Sequence, residues 1–116
     1  MTIGQRKLGR TGLNVSEVSL GTMAFGRWID QKESADVLNA ALEAGITLID
    51  TADVYGSGMD KGNPLEIGES ETILGHLLGE RRHRIVWQPK FMAEWVSVLM
   101  MRAKAGITFI ARWKIV

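Results

Sequence analysis

Cysteine is missing from this sequence, which rules out disulfide bridges and thiolate metal sites. Histidine is scarce: His76 and His83 stand alone, neither with a metal-like partner at helical spacing. No metal site is expected, and both are read as surface residues. Neither sign of charge dominates. Fourteen Lys and Arg against thirteen Asp and Glu leave a net charge of +1, which argues against a dedicated nucleic-acid binder. The run Arg81, Arg82, His83, Arg84 is the one basic exception, and it reads as a solvated helix end. No apolar run is long enough to span a bilayer, so no membrane partner is expected. Residues Met1 to Lys7 lack the apolar core of a signal peptide, so a soluble, cytoplasmic protein is the expectation.

What is present is a 116-residue chain of which 46% is apolar, enough for one small domain with a core of its own. Lys7 to Ser16 reads as a hairpin with turn residues at Gly9, Arg10, Thr11 and Gly12. Glu17 to Met23 reads as a short strand ending in Gly21, Thr22 and Met23, where small residues let a flat ligand approach the backbone or serve an ordinary turn. Asp30 to Ala44 reads as a helix. Asp30 and Glu33 have capping-box spacing, Val37, Leu38, Ala41 and Leu42 form an apolar stripe, and Gly45 stands at its stop. A strand follows at once, so a strand–helix–strand unit with a parallel sheet is predicted. Ser57 to Gly68 is glycine-rich and reads as a loop. Ser70 is placed to cap a second helix, Glu71 to Leu78, with Ile73, Leu74, Leu77 and Leu78 on one face. Arg84 to Phe91 reads as a third strand carrying Lys90.

The chain is organised around Ala44 to Gly56. Ile46, Leu48 and Ile49 make a buried strand, which ends in a polar tip with Asp50 and Tyr55 five residues apart. If the chain turns after Asp50, both side chains face one small volume, where a carboxylate beside a phenol can orient a proton donor. The plainer reading is a strand-end Asp capping the next segment and a Tyr packed on a loop.

Leu8 to Ser16, Leu20 to Met23, Gly45 to Gly56 and Gly68 to Glu71 together resemble the N-terminal part of an aldo-keto reductase, in matching order and spacing through about Val86. The resemblance implies a (β/α)8 barrel that binds NADPH and reduces small aldehydes or ketones. Here that barrel would be incomplete: an N-terminal hairpin plus about three strand–helix units. The family's catalytic tetrad is Asp, Tyr, Lys and His. Asp50, Tyr55 and Lys90 fall on the first three positions. Tyr55 would donate the proton, Lys90 would ease its loss, and Asp50 would pair with Lys90. Gly21, Thr22 and Met23 match a segment near the nicotinamide ribose and, with Asp50, would contact the cofactor.

After Val86 the likeness to the family breaks off, and three of the four tryptophans follow that point. Reading each codon one base early forces alanine at Trp87–Gln88, glycine at Met92–Ala93 and Trp95–Val96, aspartate at Met100–Met101 and glutamate at Trp113–Lys114. The unforced codons permit a continuation like the family's next strand, loop and helix, with Lys90 preserved in a run of adenines. Residues 1–90 are therefore read as reductase and 91–116 as an out-of-frame tail. A rival is an internal repeat, since Ala105 to Ile110 resembles Ala44 to Ile49, but Ala111 and Val116 stand where Asp50 and Tyr55 would recur. The tail still has a helix-like Ala93 to Lys104 and a strand-like Ile107 to Val116. Three functions follow for comparison: a working reductase, an inactive truncated one, or a small interaction protein reusing the fragment. A barrel of this kind takes about 200 residues or more, so the inactive fragment is the expectation, with self-association through open sheet edges.

Overall fold

A computed structural model describes residues 2–90. The helix-like Ala93 to Lys104 and the strand-like Ile107 to Val116 lie outside the described residues. The chain opens with a hairpin of β1 (Gln5–Lys7) and β2 (Asn14–Ser16), paired antiparallel with Arg6 opposite Val15. Three strands then form a parallel sheet in the order β3-β4-β5: β3 (Ser19–Gly21), β4 (Leu48–Ala52) and β5 (Val86–Lys90). Helix α1 (Gln31–Glu43) connects β3 to β4, and α3 (Glu69–Leu78) lies between β4 and β5.

Local chemistry explains where α1 begins and ends. The Glu33 amide donates to Asp30 Oδ1 at 2.8 Å, and the Asp30 amide donates to Glu33 Oε2 at 3.1 Å, closing the capping box expected from the spacing. At the other end Gly45 takes φ +92°, a left-handed conformation that side chains resist. The buried stripe differs from the expected one by a small rotation. Ser34, Leu38 and Ala41 are buried, while Val37 is 42% exposed. Ser34 fits inside because its hydroxyl donates to the Asp30 carbonyl at 2.6 Å, satisfying the buried polar atom.

The second helix starts earlier than expected. It begins at Glu69, with Gly68 in the left-handed conformation as its cap. Ser70 therefore sits inside the helix and does not cap it. Its hydroxyl bonds instead to Thr22, 2.8 Å from the carbonyl and 3.0 Å from Oγ1. The expected apolar face holds, with Leu74 and Leu78 buried and Ile73 and Leu77 packed beside them. The Ser57 to Gly68 loop contains a short helix, α2 (Gly58–Lys61), and a 3-10 turn over Pro64–Glu66. The basic run lies on a 3-10 segment, Gly79–Arg84, whose residues include no buried one. His76 and His83 are exposed.

The core lies between the sheet and the helices. Phe25, Leu38, Ile49, Leu74 and Leu78 form its buried centre, flanked by Leu20, Ile85 and Trp87. The hairpin is bound to the N-terminal end of β4. The Thr47 and Leu48 amides donate to Ser16 Oγ at 2.9 and 3.2 Å, and Gln5 Nε2 donates to the Gly45 carbonyl at 2.8 Å.

Removing the capping carboxylate tests the account of α1. Asp30→Ala is expected to cost about 1 kcal/mol, read as a lower urea midpoint and reduced helical circular dichroism. An unchanged midpoint would contradict it.

Candidate active site

Two alternations meet in β4. Ile49 faces the helices and is fully buried, so its neighbour Asp50 projects from the opposite face. The register pairs Asp50 with Gln88 and Ala52 with Lys90, so Lys90 projects from that same face at the end of β5. Backbone bonds fix both strand ends. The Thr22 amide and hydroxyl donate to the Asp50 carbonyl at 3.1 and 3.0 Å, and the Asp53 amide donates to the Lys90 carbonyl at 3.0 Å. Tyr55 lies three residues beyond β4. Its amide donates to the Ala52 carbonyl at 3.2 Å, and its carbonyl accepts from the Ser70 amide at 3.1 Å.

These constraints bring Asp50, Tyr55 and Lys90 together. Lys90 Nζ lies 2.7 Å from Asp50 Oδ2 and 3.0 Å from the Tyr55 hydroxyl oxygen. It is 5.4 Å from the centre of the Tyr55 ring, off its hydroxyl end and not over its face. An ammonium has only donors, so the Tyr55 oxygen must accept from Lys90. The phenolic proton of Tyr55 is then left to point at another acceptor. The Asp50 carboxylate, hydrogen-bonded to Lys90, holds the lysine proton more firmly than usual; the Tyr55 hydroxyl adds to this, and burial opposes it.

The four residues expected to contact a cofactor divide into two groups. Gly21 is exposed at the end of β3 opposite Asp50, with open space where a side chain would stand. Met23 is 38% exposed. Asp50 is half-buried and engaged by Lys90. Thr22 is fully buried, and its hydroxyl is spent between Asp50 and Ser70, so its side chain does not reach the open surface.

Sequence reasoning missed the groups that hold the loop after Tyr55. Ser57 Oγ lies 2.9 Å from Glu69 Oε1 and 3.0 Å from Glu66 Oε2, so its single proton is shared between the two carboxylates. Arg27 pairs with Asp60 through two nitrogens, at 2.8 and 2.5 Å, joining this loop to the one after β3. Gly58 makes the loop's closest approach: a Cβ there would stand 2.2 Å from the Asn63 carbonyl oxygen. A cleft of about 410 Å³ lies elsewhere, lined by residues that include Glu43, Ile46, Thr47, Arg81 and Arg84. It sits beside the N-terminal ends of the strands, away from Asp50 and Lys90. Among the described residues no cluster of His, Asp and Glu could hold a metal ion, and no helix is long and apolar enough to cross a membrane.

The model of the aldo/keto reductase family matches residues 17–110. The chain belongs to the aldo/keto reductase family. Aldo-keto reductase YhdN of Bacillus subtilis is 36% identical over 98 residues, covering 79% of this chain and 27% of that protein. The oxidoreductase YrpG of the same organism is 41% identical over 86 residues, covering 72% of this chain and 24% of that protein. A solved aldo-keto reductase structure from Pseudomonas aeruginosa superposes with a TM-score of 0.60 at 44% identity, over 73% of this chain and 30% of that one. The chain thus spans about a quarter of the length of these curated relatives. The three parallel strands among the described residues, with helices packed on one face, are part of an incomplete (β/α)8 barrel.

The ion pair gives a pH prediction. Because the folded chain holds the Lys90 proton more tightly than the unfolded chain, the pair adds stability from neutral pH up to the ordinary lysine value of 10.5. That contribution is lost as pH rises through the higher folded value. Asp50→Asn is therefore expected to flatten the alkaline fall in urea midpoint above about pH 10.5. Parallel profiles for the two chains would refute the pairing.

Proposed function

We propose that Asp50, Tyr55 and Lys90 are the surviving part of an NADPH-dependent carbonyl-reducing site, and that these 116 residues alone do not turn over substrate. The observation that carries the reading is the Lys90 ammonium shared between Asp50 and the Tyr55 oxygen, at 2.7 and 3.0 Å. Tyr55 keeps its own proton for the carbonyl oxygen of an aldehyde or ketone. As that proton leaves, the charge developing on the Tyr55 oxygen is met by the hydrogen bond already in place from Lys90. Asp50 holds the ammonium at the right spot and balances its charge. A reduced nicotinamide, when bound, supplies the hydride. Gly21, Met23 and Asp50 offer an open, partly apolar edge that fits the nicotinamide end of such a cofactor.

The 116-residue chain is expected to give no NADPH oxidation with an aromatic aldehyde above the rate without protein; turnover at an ordinary enzymatic rate would overturn the inactive reading. In a full-length chain with the frame restored after Val86, Tyr55→Phe is expected to lower carbonyl reduction by about 10²–10⁴-fold, with cofactor binding nearly unchanged. Rates within a few-fold of the parent would remove Tyr55 from the role of acid.

We read the segment after Val86 as encoded out of frame, on the strength of the forced alanine, glycine, aspartate and glutamate codons. The family model matches through residue 110 in the frame given, which an in-frame tail accounts for directly and an out-of-frame tail does not. Sequencing the gene through the Val86 codon separates the two: the shifted frame is expected to encode further barrel strands. A gene with reductase-like sequence in the original frame only would refute the reading.

A further inference from the structure

The direction of each backbone group in β5 follows from its register. The Val86 amide donates to the Thr47 carbonyl at 2.7 Å, and the Lys90 carbonyl accepts from the Asp53 amide at 3.0 Å. In a parallel ladder alternate residues turn both their groups to the same neighbour. Val86, Gln88 and Lys90 therefore face β4, while Trp87 and Pro89 face away from it. The outer edge of β5 could offer two donors to a further strand, at residues 87 and 89. Proline has no N–H, so one of the two is absent. Among the described residues no strand pairs with that edge. In a closed barrel this is where the fourth parallel strand would attach.

We propose that Pro89 closes the sheet at β5, so that this edge resists adding a strand, whether from a second copy of this chain or from the rest of a reductase barrel. Proline facing inward would break the β4–β5 ladder. Facing outward, it spares that ladder and blunts only the open side. The expected self-association through open edges is thereby confined to the other edge. There β3 turns the backbone groups of Ser19 and Gly21 outward, because the Thr22 amide is bonded to Asp50 and Leu20 shares its direction.

The test uses the full 116-residue chain and restores the missing donor. Pro89→Thr supplies an N–H with a residue that suits strands. Gln88→Thr makes the same kind of change where the N–H already faces β4, and Gln88 has no part in the proposed chemistry. Sedimentation velocity over a concentration series reads association. Pro89→Thr is expected to associate at about tenfold lower concentration than the parent, as one or two restored hydrogen bonds allow. Gln88→Thr is expected to match the parent. Hydrogen–deuterium exchange of the Trp87 amide reads the edge itself: rapid in the parent and slowed in the Pro89→Thr assembly. Precipitation of Pro89→Thr alone, with the parent and Gln88→Thr soluble, would count for the proposal. It is overturned if Pro89→Thr associates like the parent, or if the parent's Trp87 amide is as protected as those of Val86 and Gln88.

Discussion

The parallel register of β4 is the constraint on which the molecule depends. One face of that strand buries Ile49 against Leu38 and Leu74 from the two helices, and the opposite face presents Asp50. The same pairing that seats Ile49 opposite Leu20 and Trp87 sets Ala52 opposite Lys90. A slip of one residue would expose Ile49 and drive a carboxylate into an apolar core. The hydrophobic effect therefore selects the register, and the register delivers the charged cluster. No separate force has to bring Asp50 and Lys90 together across the long stretch of sequence between them.

Tyr55 arrives by a different route. It belongs to no strand and is held through its backbone, between Ala52 and the start of α3. Ser70 contributes twice: its amide fixes Tyr55, and its buried hydroxyl fixes Thr22, which in turn holds Asp50. A single helical residue thus connects Tyr55 to the strand bearing Asp50. Because Thr22 and Ser70 are fully buried, neither bond competes with water.

Features that rest on short spacing were legible in the sequence. The Asp30–Glu33 box and the stop at Gly45 depend on neighbours three or four residues apart, and both formed as read. The meeting of Asp50, Tyr55 and Lys90 in one volume was legible because the resemblance grouped them, and the strand pattern agreed. Ser70 was misread because a serine before an apolar run looks like a cap, while the position of its partner Thr22 depends on tertiary packing. Val37 was misjudged for a related reason: periodicity gives the stripe's spacing but not its rotation, which Ser34 settled by satisfying its own hydroxyl. The compactness of the loop after Tyr55 was hidden, since a glycine reads as flexibility and Gly58 is there to admit a carbonyl oxygen. The outward direction of Pro89 needs the ladder as well as the residue.

The hairpin's attachment to β4 has a consequence for the order in which the chain assembles. Its bonds to Thr47, Leu48 and Gly45 join groups 31 to 40 residues apart in sequence, with all of α1 between them. The capping box, by contrast, closes over three residues. Loop-closure entropy favours the local element, so α1 gains its first turn long before the hairpin can find its place. Docking the hairpin is a late, entropically costly step that becomes favourable only once β4 lies beside β3. The N-terminal segment thus acts as a latch on an already formed layer, fastened by Ser16 and Gln5, and it is the part of the molecule whose release would leave the rest of the sheet paired.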